Sequence, residues 1–175
     1  MPYFNVEKIP AAAISSLIAD ATVLIIDTTG SDNILFSLKR LYSHGKYKTY
    51  YTRAGVNRLN KAIEAAHISN IKTIVIYSNK VVNKSIYIPS DHFTSSIITP
   101  CSNYGNNGNF LEEILENNNL KDLSLIGYQK YRFNPNTLNK IREKQFEHIR
   151  LGELRDDFSL SEPYLRNKEH IYLDL

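Results

Sequence analysis

Apolar residues in the last third of the chain come in three short runs, Leu123–Ile126, Ile149–Leu151 and Ile171–Leu175, with polar, helix-compatible segments between them. Runs this short and this rich in Leu and Ile suit strands buried on both faces, as in a parallel sheet. The first spacer carries its own start signal. Asn134 can cap a helix, and Pro135 follows where a missing N–H costs nothing. The second offers Ser159-Leu160-Ser161-Glu162, a capping-box pattern, with Pro163 after it. The pattern predicts strand, helix, strand, helix, strand.

The same alternation extends upstream. Ala11–Ala19 reads as a short helix behind Pro10, and Thr22–Asp27 (TVLIID) as a buried strand. After the turn-forming TTGSDN, Ile34–Tyr42 has helical spacing. Val56, Leu59, Ile63 and Ala66 share one helical face, and the strand Ile71–Tyr77 follows. Ser85–Ile88 is a weaker strand ending at Pro89, PCSNYGNNGN is a loop by composition, and Phe110–Leu115 starts a helix. The tract GKYKTYYTR reads as an edge strand with a wet face, because strand propensity accounts for Tyr and Thr. A stacking platform for bases, with Tyr47, Tyr50 and Tyr51, is the other reading. Alternating helices and strands imply right-handed crossovers and a three-layer α/β/α fold around a mainly parallel sheet, a single domain over residues 1–175. Ligands in such folds sit past the carboxyl ends of the strands. The candidate positions are therefore Asp27–Ser31, Tyr77–Lys80, Pro89–His92, Gly127–Gln129, Gly152–Glu153 and Asp174.

Composition narrows the chemistry. With 175 residues and 42% hydrophobic content the chain can build one real core. Its net charge is +3, but Lys and Arg are scattered among Asp and Glu. That makes nucleic acid an unexpected partner. Dispersed Asn, Lys and Ile point to codon bias rather than a prion-like segment. The single cysteine, Cys101, excludes an internal disulfide and a cysteine metal cluster. No apolar run approaches the ~20 residues of a membrane span, and no signal peptide is visible, so a cytoplasmic protein is expected. Walker, GxGxxG, GxSxG and HExxH patterns are absent. TTGSDN holds one Gly, a poor phosphate cradle. Of the five histidines His92 is the candidate, since Ser90-Asp91-His92-Phe93 follows a strand and sets a carboxylate beside an imidazole, two ligand types suited to a divalent cation.

LIGYQKY followed by HIRLGELRDDFSLSEPYLRNKEHIYLDL resembles the ureohydrolase superfamily (arginase, agmatinase, formimidoylglutamase), in particular its bacterial formimidoylglutamase-like branch. TVLIID with FSLKRLY, GVNRLNKAIEAAHISNIKTIVIY and NFLEEILENNNLKDLSLIG extend the likeness over most of the chain. The resemblance implies an arginase-like α/β/α fold, incomplete at the C-terminus. Active members hold two Mn²⁺ ions bridging a hydroxide that attacks a guanidinium or amidine carbon. Their ligands come from GG(D/S)H, DAHxD and SxDxD at carboxyl ends of strands.

Carried over residue by residue, the ligands are few. The first position falls on Tyr77-Ser78-Asn79-Lys80, where Lys80 would repel two divalent cations. The second falls near Pro89-Ser90-Asp91-His92-Phe93, which lacks the terminal aspartate. The third falls on Tyr172-Leu173-Asp174, and the chain ends one residue later. Asp91, His92 and Asp174 are thus weak remnants, no metal and no catalytic residue are expected, and cofactors are none. The expectation is a non-catalytic ureohydrolase-like domain with a scaffold or binding role. A fragment of a Mn-dependent hydrolase acting on guanidino or formimidoyl C–N bonds is the alternative, and an unrelated small α/β ligand- or nucleic-acid-binding module the second. A sheet edge exposed where the chain stops would be covered by another chain, most simply in a homo-oligomer.

Overall fold

The computed structural model describes residues 6–16, 21–29, 35, 48–78, 92–99 and 110–174. They divide between two compact units, Met1–Tyr77 and Ser78–Leu175. The predictions over Ile34–Tyr42 (Leu35 apart), Ser85–Ile88 and the loop after Thr99 lie outside the described residues.

In the first unit β1 (Val6–Lys8), β2 (Ala21–Asp27), β3 (Lys48–Arg53) and β4 (Thr73–Ser78) run parallel in the order β1-β3-β2-β4. Successive side chains point to opposite faces of a strand, and both faces here are apolar. Val6, Ile25, Tyr51 and Leu35 cluster on one, with Val23 and Val75 against them. Leu24, Ile26, Ile74 and Ile76 are buried on the other. Helix α1 (Val56–Ile68) lies against β2 and buries Leu59, Ile63 and Ala66 of the expected stripe, together with Ala62. It ends in a Schellman turn. Asn70 takes φ 53°, its N–H reaches the His67 carbonyl at 2.9 Å, and the Ile71 N–H reaches Ala66 at 3.1 Å.

Two readings change here. The segment expected as a helix over Ala11–Ala19 is a 3-10 turn, Ala11–Ser16, as far as it is described. The Tyr-rich tract is not a wet edge strand. β3 has a hydrogen-bonded neighbour on each side, and Thr49, Tyr51 and Thr52 are buried. The three residues Val-Glu-Lys of β1, too short to show a pattern, cover the edge that the tract would otherwise present.

In the second unit β5 (Phe93–Ile98), β6 (Leu120–Tyr128), β7 (Glu147–Arg150) and β8 (His170–Asp174) are parallel in the order β8-β5-β6-β7. Register sets Ile97 beside Leu125 and Tyr172 on one face. There Phe110 of helix α2 (Phe110–Glu116) packs edge-on against Tyr172, ring centroids 4.9 Å apart. On the opposite face Ile98, Ile126 and Ile149 pack with Leu154 of α4 (Leu151–Asp156) and with Tyr164 and Leu165 of α5 (Glu162–Leu165). Helices therefore cover both faces, and the parallel α/β class read from the sequence is the one observed.

Helix α3 (Pro135–Glu143) starts where expected, with Asn134 Oδ1 accepting from the Asn136 N–H at 2.9 Å. It stops in a second Schellman turn at Gln145, φ 56°. Hydrogen bonds from Thr137 to Glu112 (2.8 Å) and from Lys140 to Glu116 (2.9 Å) join α3 to α2. The expected capping box at Ser159–Glu162 does not form. Asp157 caps that turn instead, accepting from the Ser159 N–H at 2.9 Å, while Ser161 Oγ donates to the Phe158 carbonyl. Leu151 opens α4 rather than closing β7, because Glu153 reaches back to the Arg150 N–H at 2.9 Å and caps the helix there. β5 itself is absent from the sequence reading. No helix among the described residues is long and apolar enough to cross a membrane.

Candidate functional site

The carboxyl ends of β2, β3 and β4 bring three polar residues into line, since register pairs Asp27 with Arg53 on one side and with Tyr77 on the other. Asp27 is buried although it closes a strand. Its Oδ1 accepts from the Thr29 N–H and hydroxyl, both at 2.7 Å. Its Oδ2 accepts from the Tyr51 hydroxyl at 2.5 Å and lies 3.9 Å from Arg53 Nε, which itself donates to Tyr51 at 3.3 Å. Burial and the bond to Asp27 push the Tyr51 phenol up to about 12. Thr28 donates its N–H (3.0 Å) and hydroxyl (3.2 Å) to the Tyr77 carbonyl, tying the turn after β2 to β4. The carboxylate thus has donors on both oxygens and a guanidinium beside it. That arrangement neutralises a buried charge internally and leaves it closed to an incoming cation.

Tyr51 is fully buried and has no face to offer a base, and Tyr50 is half-buried on the other side of the strand. Tyr47, like Asn79, Lys80, Asp91 and Cys101, lies outside the described residues.

In the second unit the structure separates the two described remnants. His92 is exposed and sits just before β5, whereas Asp174 closes β8. His92 lies three residues before Ser95, whose register partner is His170, and Asp174 lies four residues after His170. Seven residues of parallel strand span about 23 Å, so the two cannot share an ion. The described strand nearest the Pro89–Phe93 segment ends at Ile98, and Thr99 follows, buried, with its N–H on the Ile126 carbonyl at 3.1 Å. His92 therefore precedes the amino end of β5, while Thr99 follows its carboxyl end; the strand Ser85–Ile88 expected ahead of the second ligand segment lies outside the described residues. Among the other described histidines, His170 is buried in β8 against Phe93 and Tyr172, and His148 lies in β7 against Tyr128.

The carboxyl ends of β6 and β7 carry a further polar group that the sequence signalled only as the position Gly127–Gln129. Gly127 adopts φ 76° at a register shift opposite β7. The shift sets Tyr128 beside Arg150, and Arg150 Nε donates to the Tyr128 hydroxyl at 3.4 Å. Phe133 and His148 hold the Tyr128 ring, with centroids 5.5 and 5.7 Å away. Beyond it the exposed Tyr131 donates to Gln129 Oε1 at 2.5 Å.

A parallel sheet with helices packed against it and polar groups at the carboxyl ends of its strands places the chain in the parallel α/β class. Three solved structures of formiminoglutamase from Trypanosoma cruzi, each with Mn²⁺, share it. One, an oxidised form at pH 8.5, superposes with a TM-score of 0.55 at 13% identity, over 89% of this chain and 68% of the enzyme. A variant of that enzyme gives 0.54 at 15% identity, over 93% and 72%. A third gives 0.53 at 14%, over 87% and 68%. At these identities the likeness is one of fold. No family model matches the chain, and no curated protein matches it.

A pair of Mn²⁺ ions needs several carboxylates and imidazoles converging within a few ångströms. Among the described residues no three His, Cys, Asp or Glu side chains converge in that way. Asp27 is committed to Tyr51, Thr29 and Arg53, and a guanidinium beside a dication site is repulsive. The described residues do not fit a binuclear centre.

Proposed function

We propose that this chain is a ureohydrolase-fold protein that serves in binding or assembly and does not perform Mn-dependent hydrolysis. The observation that carries the reading is the register that sets His92 and Asp174, two remnants of the ligand set, at opposite ends of neighbouring strands. The buried rim carboxylate Asp27 is itself taken up by donors on both oxygens with Arg53 alongside. The sequence after β4 supports it, since Lys80 stands where the family's histidine ligand would be. With no cation pair to lower the pKa of a bridging water, the nucleophile that attacks an amidine or guanidinium carbon is missing.

The test is elemental analysis of the purified protein, followed by assays with N-formimino-glutamate, arginine and agmatine in added Mn²⁺. Substoichiometric manganese and no formamide or urea above the blank are expected. Two manganese ions per chain with turnover of any of the three would overturn the reading.

A further inference from the structure

At the carboxyl ends of β6 and β7 the unengaged polar groups on Tyr128, Gln129, Lys130 and Arg150 are donors. Arg150 is exposed, yet among the described residues its guanidinium forms no ion pair, and its single side-chain bond is from Nε to the Tyr128 hydroxyl. With Nε engaged, the Nη1–Nη2 edge of the fork remains for a planar pair of acceptor oxygens. Tyr128 accepts that bond, so its own phenol proton still needs an acceptor. The residue is 2% exposed and no acceptor reaches it among the described residues, which is the situation buried hydroxyls avoid. Gln129 uses its Oε1 for Tyr131 and keeps its NH₂, and Lys130 adds an exposed ammonium. Glu153, the nearest carboxylate in sequence, accepts the Arg150 backbone N–H through one oxygen and lies near enough to favour the guanidinium's charge without forming an ion pair with it.

The group is also built rather than incidental. Phe133 and His148 fix the Tyr128 ring, Tyr128 orients the guanidinium, and the Glu153 cap fixes the Arg150 backbone. Donors held in place in advance bind without losing the entropy of ordering them.

We propose that the carboxyl ends of β6 and β7 form an oxyanion site, in which the Arg150 guanidinium and the Tyr128 hydroxyl together hold a carboxylate or phosphate group. The proposal goes beyond the loss of metal chemistry and does not depend on it. The site binds through two directed donors, with Gln129 and Lys130 at its margin.

The experiment is a titration of the full chain, followed by amide ¹H–¹⁵N shifts, at low ionic strength in a metal chelator with chloride as the matched control. One arm uses inorganic phosphate and the other succinate, and the tighter arm identifies the group the site prefers. Saturable shifts at Gln129, Lys130 and Arg150, with a dissociation constant in the millimolar range or tighter, are expected. Tyr128→Phe keeps the ring and removes the hydroxyl, and Arg150→Lys keeps the charge and removes the fork. Each is expected to weaken binding by about tenfold, as losing a bond to a charged group does. Unchanged far-UV circular dichroism and thermal midpoint establish that the variants fold. No saturation in either arm, or equal affinity in both folded variants, would overturn the proposal. Because the chelator removes metal throughout, failure here leaves the metal-loss reading standing, and manganese found in the protein leaves this one standing.

Discussion

The hydroxyl of Tyr51 donates to Asp27 Oδ2 at 2.5 Å, joining residues 24 apart in sequence at the carboxyl ends of neighbouring strands. Both groups are buried, so each supplies what the other lost on leaving water. Removing the hydroxyl leaves a buried carboxylate short of a donor. Tyr51→Phe should lower the stability to chemical denaturation at pH 7 by about 1–3 kcal/mol.

The same bond sets a pH dependence. Folding raises the Tyr51 phenol from 10.0 to about 12, chiefly through burial and then through Asp27. The folded state thus favours the protonated phenol. This contribution is complete below pH 10 and is lost as pH rises toward 12, about 2–3 kcal/mol in all. The stability gap between wild type and Tyr51→Phe should therefore narrow across that window, measured by urea denaturation at successive pH values. A gap that stays constant would count against the buried pair.

Asp27 should behave as a structural residue. Asp27→Asn keeps the shape but turns one acceptor oxygen into a donor, facing either Tyr51 or Thr29. A loss of about 2–4 kcal/mol in stability is expected, with no change in manganese affinity measured by calorimetry. Manganese binding that vanishes in the variant would instead make Asp27 a ligand.

Gly127 is positioned by its backbone. A Cβ there would meet Leu154 Cδ1 at 3.6 Å, an ordinary contact, so the cost of Gly127→Ala comes from φ 76°. About 1–2 kcal/mol is expected, read as a lower denaturation midpoint. An unchanged midpoint would mean the bulge relaxes freely.

The observed cap at Asn134 and the expected one at Ser159 should separate. Asn134→Ala removes an acceptor for the Asn136 N–H and should cost about 1 kcal/mol. Ser159→Ala removes a hydroxyl that donates to Asp157 on an exposed turn and should cost less than about 0.5 kcal/mol. The opposite ranking would restore the capping box at Ser159–Glu162.

Much of the fold was legible from local pattern. The strands β2, β4, β6 and β8 are each centred on a short run rich in Leu, Ile or Val, as a parallel strand covered on both faces requires. α1 shows its buried stripe and α3 its cap within a few residues, since both depend on neighbours in sequence. The same reasoning marked Asp27–Ser31 and Gly127–Gln129 as rim positions, because chain direction alone decides which end of a parallel strand they occupy.

Tertiary structure decided the rest. FTSSII reads as polar, yet it is β5, because Ser96 gives its hydroxyl to the Tyr164 carbonyl, 68 residues away, at 2.5 Å and so can be buried. The Tyr-rich β3 reads as wet until β1 pairs with it. Asp91-His92 looked like the remains of a ligand set beside Asp174, but register sets His92 and Asp174 at opposite ends of their strands. Arg150 and Tyr128 meet only because the bulge at Gly127 shifts one strand past the other. Periodicity in a sequence records which side chains leave water. Which distant donor or acceptor replaces that water is set by strand register, and register is a property of the folded chain.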